Sequence, residues 1–131
     1  MNMQTTEANI DITRKDGKLI SISVVMPMWD KVGIDDVINI NIPLFGIKTF
    51  AANLIDVDVA IEEAIRIFCI ATEKYGVGLE NELRILGWSF NEEKENTISM
   101  TYYVSDNNIV MEQIMETGEQ FSNTQSFELA Y

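Results

Sequence analysis

The chain is 131 residues long, 47% hydrophobic and strongly acidic, with nine Lys/Arg against 21 Asp/Glu for a formal charge of −12. A chain of this size and apolar content builds one domain with its own core, which excludes disorder of the whole chain and a second full domain. The single cysteine, Cys69, excludes an internal disulfide or a cysteine-rich zinc site, and the absence of histidine removes imidazole from every catalytic, ligating and pH-switching role.

The first segment reads as a hairpin: Ile10 and Ile12 alternate with Asp11 and Thr13, and Asp16-Gly17 supplies a tight turn. A second strand follows from Leu19 to Met26, with Ile20, Ile22, Val24 and Met26 on one face; Pro27 is expected to end it or confine it to an edge. Residues 28–36 read as a connection. Period two returns at Ile38, Ile40 and Ile42, is interrupted by Pro43 and Gly46, and resumes as a short strand over residues 47–52.

Then the period changes. Asp58 is the expected N-cap of a helix over about residues 59–75, with Glu62 and Glu63 near the positive end of its dipole. Ala60, Ile61, Ala64, Ile65, Phe68, Ala71 and Tyr75 form a wide apolar stripe at helical spacing. Gly76 and Gly78 stop it. Leu79, Leu83 and Leu86 predict a shorter helix ending at Gly87. Trp88 and Phe90 open a strand, residues 91–96 read as a charged turn, and Ile98, Met100, Tyr102 and Val104 return beside it. Val110, Met111, Ile114 and Met115 fit a helix, and residues 121–131 read as irregular. Residues 105–131 carry five acidic groups and no basic one, an acidic tail expected to be partly mobile. The whole reads as a single α+β domain over residues 1–131: a mostly antiparallel sheet of about four to six strands packed on one main helix.

The chemistry-bearing residues are few. Without histidine no Ser/His or Cys/His pair exists, and Cys69, between Phe68 and Ile70, reads as a small buried hydrophobe. Asp56-Val57-Asp58 lacks the acidic ladder and glycine of a calcium loop, and Glu62 and Glu63 are adjacent, so they do not share a helix face. The glycines of Tyr75-Gly76-Val77-Gly78 are not followed by a P-loop lysine, and read as helix terminators. Trp88 and Tyr102-Tyr103 could stack on bases, but core or sheet-face packing suits them better. The expectation is therefore a protein that binds rather than catalyses, with no catalytic residue, no cofactor and no metal.

Charge placement narrows the partner. Residues 1–55 hold five basic and six acidic groups, whereas residues 56–131 hold four and fifteen. Such a surface repels phosphate backbones, so direct nucleic-acid binding is disfavoured, while a basic protein suits it; acidity also serves solubility by itself. The expected partner-binding residues are Asp56, Asp58, Glu62, Glu63 and Glu73. A homo-oligomer is expected as well. No run approaches the roughly 18–20 apolar residues of a membrane span, and the first residues do not form a secretory signal, so the expected location is cytoplasmic with no membrane partner.

One stretch resembles a family. Ile38-Asn39-Ile40-Asn41-Ile42-Pro43-Leu44-Phe45-Gly46-Ile47-Lys48-Thr49-Phe50-Ala51-Ala52, running through Asp58 into Ala60-Ile61-Glu62-Glu63-Ala64-Ile65, is similar to the HicB-like antitoxin module. With the hairpin at Asp16-Gly17 the resemblance covers about residues 8–75. Phe45 stands where the family has a proline, and residues 52–57 are longer and more apolar than its pattern. No basic recognition helix follows residue 76, so the resemblance does not extend to operator binding. It implies a partial ribonuclease-H-like arrangement without the metal site, and a small basic messenger-RNA-cleaving toxin as partner. The alternative is a small homo-oligomeric structural or scaffold protein of a phage or mobile element.

Overall fold

The turn sets the first hairpin. Asp16 and Gly17 both take positive φ, 53° and 81°, the left-handed pair that a two-residue type I′ turn needs to match the twist of its strands. They join β1 (Thr6–Lys15) to β2 (Lys18–Val32). The computed structural model describes residues 6–104 and 119–128, with side chains for residues 8–103.

β2 is longer than its sequence suggests. It does not stop at Pro27 but continues to Val32, and the connection shrinks to residues 33–37. Met28 and Trp29 are both buried although they point to opposite faces, so this part of β2 is covered on both sides. After it come β3 (Ile38–Ile42), a 3₁₀ turn at Pro43–Phe45, β4 (Ile47–Ala51) and a second 3₁₀ turn at Leu54–Asp56. α1 (Val57–Lys74) and α2 (Leu79–Ile85) follow, then β5 (Ser89–Lys94), β6 (Thr97–Val104) and β7 (Glu119–Glu128). The fold is α+β, as expected.

All seven described strands belong to one antiparallel sheet, and β2 is its spine. β7 lies along β2 from Ser21 to Asp30 without a register break. Over that same length β1 pairs with Lys18–Val25 and β3 with Trp29–Val32. A strand has two edges, so β1 and β3 must share the edge opposite β7, one after the other. Two wings leave that edge: β1–β6–β5 and β3–β4. Met26, Pro27 and Met28 fall in the gap between them and pair with β7 alone. A proline without an N–H is tolerated in this interior strand where one ladder is already missing.

β7 corrects the irregular reading of residues 121–131 as far as Glu128; residues 129–131 lie outside the described residues. Its apolar residues, Phe121 and Phe127, are too far apart to show a period, yet Thr and Phe suit a pleated surface and β2 offers a free edge. The helix expected around residues 110–115 lies outside the described residues. Residues 91–94 are strand rather than turn, with Glu95 at φ 50° making the reversal.

α1 packs its Ile61, Ile65, Cys69 and Thr72 stripe inward, against β3 and β4. It starts at Val57, so Asp58 lies in its first turn and is not the cap. Asn53 takes the capping role one turn earlier, its Oδ1 accepting the Asp56 N–H at 3.1 Å. Four aromatic rings then tie the two wings together beneath the helix. Phe45 stacks on Phe68 at 4.9 Å between centroids, and Trp88 meets Phe45 and Tyr102 at 5.8 Å each. Trp88 Nε1 donates to the buried carbonyl of Leu44 at 2.8 Å. Gly87 makes this approach feasible: its φ is 109°, and a Cβ there would sit 2.9 Å from the Tyr102 ring. Trp88→Phe leaves the Leu44 carbonyl buried without its donor; a loss of about 1–3 kcal/mol is expected in the urea midpoint with the slope unchanged.

Candidate interaction surface and the latch beside it

Of the five acidic residues expected to meet a partner, four line one end of α1 and the fifth does not. Glu73, at the far end of α1, accepts two hydrogen bonds of 2.7 Å from Arg14 Nη1 and Nη2, and its Oε2 also accepts the Leu79 N–H at 2.7 Å. Glu80, in the first turn of α2, takes Arg14 Nε at 2.8 Å and Nη2 at 2.5 Å. The carbonyl of Gly17 accepts the remaining Nη1 hydrogen at 3.1 Å. All five guanidinium hydrogens are thus engaged, and one arginine fastens the hairpin turn to both helices.

This latch is built from sequence positions that carry no motif. Thr13 is followed by a register shift in the β1–β2 ladder, which lets Arg14 leave the regular pattern. Gly78, at φ 94°, turns the chain so that the amide of Leu79 reaches the Glu73 carboxylate. Glu73 is therefore committed inside the fold. Its carboxyl is held below the usual range first by the Arg14 hydrogen bonds, against desolvation, with help from the Leu79 amide.

Cys69 sits on the same helix with no access to solvent. Burial, and then the nearby Glu73 charge, push its thiol up to about 12, only partly offset by Arg66. A neutral buried thiol is a poor nucleophile.

The remaining four carboxylates lie where α1 begins. Asp56, Asp58 and Glu63 are exposed, while Glu62 is half-buried and accepts a 3.1 Å hydrogen bond from Arg66 one turn on. Among them stand apolar side chains that the core does not use: Leu54 is 74% exposed, Ile55 88% and Val59 54%. Ile67 continues the exposed face of α1 from Val59 and Glu63, each one helical turn apart. Exposed aliphatic side chains thus stand among the carboxylates of residues 54–67. Sequence reasoning named the carboxylates and did not name the aliphatic side chains. The signal was present in the unusually apolar run over residues 52–57, which follows no helical or strand period.

Two open clefts among the described residues lie elsewhere. One, of about 430 Å³, lies beside the latch and is lined by Arg14, Glu80, Arg84, Phe90 and Glu93 among others; the second, of about 620 Å³, lies over the polar face of β1, β5 and β6. Among the described residues no three carboxylates or thiols converge as a metal site would need, and no described helix is long and apolar enough to cross a membrane. No family model matches the chain, and no curated protein or solved structure matches it.

The latch predicts acid sensitivity. The folded pKa of Glu73 lies below its unfolded value of about 4.3, so its contribution is complete above that pH and is lost as pH falls through the folded value. Glu73→Gln is expected to lower the melting temperature at pH 7 and to flatten the decline below about pH 4.3. Arg14→Met is expected to cost about 2–3 kcal/mol, less than a fully buried pair because each side chain keeps some contact with water. Cys69 should resist a disulfide reagent in the native protein and react fully in denaturant, which a simple colorimetric titration reads.

Proposed function

We propose that the chain is a non-catalytic protein-binding domain that receives a basic protein on the surface where α1 begins. The observation that carries this reading is the exposure of Leu54, Ile55 and Val59 in the same segment as the carboxylates Asp56, Asp58, Glu62 and Glu63. Exposed aliphatics in a polar rim are the anatomy of a protein interface, where desolvating the centre supplies affinity. The carboxylates select the sign of the partner and speed its approach. The perturbed titratable groups support binding over chemistry: Arg14 and Glu73 saturate each other, and Cys69 is buried.

In its most specific form this reading makes the chain a HicB-like antitoxin whose partner is a small basic ribonuclease, on the strength of the sequence resemblance over residues 8–75. A second reading, a homo-oligomeric structural or scaffold protein, is favoured by a different observation, an edge of β4 that no described strand pairs with.

A pull-down with the purified chain separates the two. The first reading expects one small basic protein at stoichiometric yield, released by rising salt and reduced at least about tenfold by Glu62→Lys with Glu63→Lys. Unchanged capture by that variant, or an eluate holding only the bait, overturns it.

A further inference from the structure

Three strands of the sheet, β5, β4 and β7, have an edge that no other described strand pairs with, and the two whose side chains are described, β5 and β4, are not alike. β5 carries Glu92, Glu93 and Lys94, with a bulge between Phe90 and Glu92. Charges and bulges of that kind prevent edge-to-edge pairing. β4 has neither. Its five residues, Ile47-Lys48-Thr49-Phe50-Ala51, pair with β3 without any register break. Among the described residues nothing pairs with its other edge, and none of its backbone groups bonds elsewhere. Phe50 is 67% exposed. Lys48 is the one charged residue in residues 37–55 of a chain whose net charge is −12.

We infer that β4 pairs antiparallel with β4 of a second copy across a two-fold axis at Thr49, giving a dimer with one continuous sheet. The register follows from the residues themselves. A two-fold axis perpendicular to the sheet keeps every side chain on its own face, so opposed residues must be an even number apart. Three axes satisfy this within the strand's centre. An axis at Lys48 sets two ammonium groups against each other, which is unfavourable. An axis at Phe50 leaves Ile47 and Lys48 without strand partners. The axis at Thr49 pairs all five residues, places Ile47 against Ala51, and lays each Lys48 against the Phe50 ring of the other copy. Two cation–π contacts thus replace two exposed edges. The near-neutral local sequence makes this the region of an acidic molecule where a second copy meets least repulsion.

The inference is independent of the basic-partner reading, because the two respond oppositely to salt. Screening the −12 charge on each copy strengthens self-association and weakens capture of a basic protein. Sedimentation velocity across a dilution series, at about 50 mM and about 500 mM salt, reads the dimer. The expected result is a reversible dimer that tightens with salt. Phe50→Lys, which faces Lys48 of the other copy, is expected to weaken it at least about tenfold. Phe50→Glu restores an opposite-charge pair across the axis and should retain the dimer, now weakening with salt. Phe90→Lys, on β5, should leave it unchanged. Circular dichroism confirms that each variant is folded. A monomer at every concentration overturns the inference, as does a dimer indifferent to Phe50→Lys or one dissolved by Phe90→Lys. A basic peptide or protein that binds while the free chain stays monomeric, and loses binding in Phe50→Lys, assigns the edge to a different occupant and equally overturns it.

Discussion

One strand with two edges has to serve three neighbours, and much of the architecture follows from how β2 does so. It gives one edge entirely to β7 and divides the other between β1 and β3. A flat sheet has no room for this arrangement, since β1 and β3 would compete for the same space along the strand. The two wings must diverge from β2, and the aromatic group of Phe45, Phe68, Trp88 and Tyr102 fills the region toward which they converge. Among the described residues α1 covers β3 and β4, and α2 packs beside β5.

The Arg14 latch belongs to the same economy. α1 is held along its length by apolar packing against β3 and β4, which are in the wing after the hairpin. Its C-terminal end points toward the other wing, where little apolar surface remains for it. Arg14 supplies an ionic anchor there, reaching from β1 to Glu73 on α1 and Glu80 on α2. The helix is consequently fixed by packing along its inner face and by a directional charge cluster at its C-terminal end. Its beginning is left free to present carboxylates and aliphatic side chains to solvent.

How much of this was legible in the sequence depended on the range of the signal. Elements whose evidence is local were readable: the Asp16-Gly17 turn, the alternation of Ile38, Ile40 and Ile42, and the stripe Ile61, Ile65, Cys69 on α1. Readings that failed depended on a distant partner. Pro27 looks like a strand terminator until the missing ladder between β1 and β3 is known, and residues 121–127 look irregular until the vacant edge of β2 is known. Asp56, Asp58, Glu62 and Glu63 lie near one another because they are close in sequence, whereas Glu73 is set apart by Arg14, 59 positions away. The exposed aliphatic pair Leu54 and Ile55 was hidden for the opposite reason: nothing in the sequence says that an apolar run will remain uncovered.

The pairing of β2 with β7 joins residues that are far apart along the chain, from Asp30 with Glu119 to Ser21 with Glu128. Closing a loop of about ninety residues carries a much larger entropic cost than closing the two-residue turn between β1 and β2. The hairpin can therefore form during synthesis while the far edge of β2 is still bare. For as long as ribosomal elongation takes to deliver residues 119–128, at roughly 5–20 residues per second, the longest strand of the protein has an open flank. The nascent chain is thus most exposed to aberrant pairing in that interval of roughly 5–20 seconds, so the pace of translation bears on its folding beside the stability of the finished sheet.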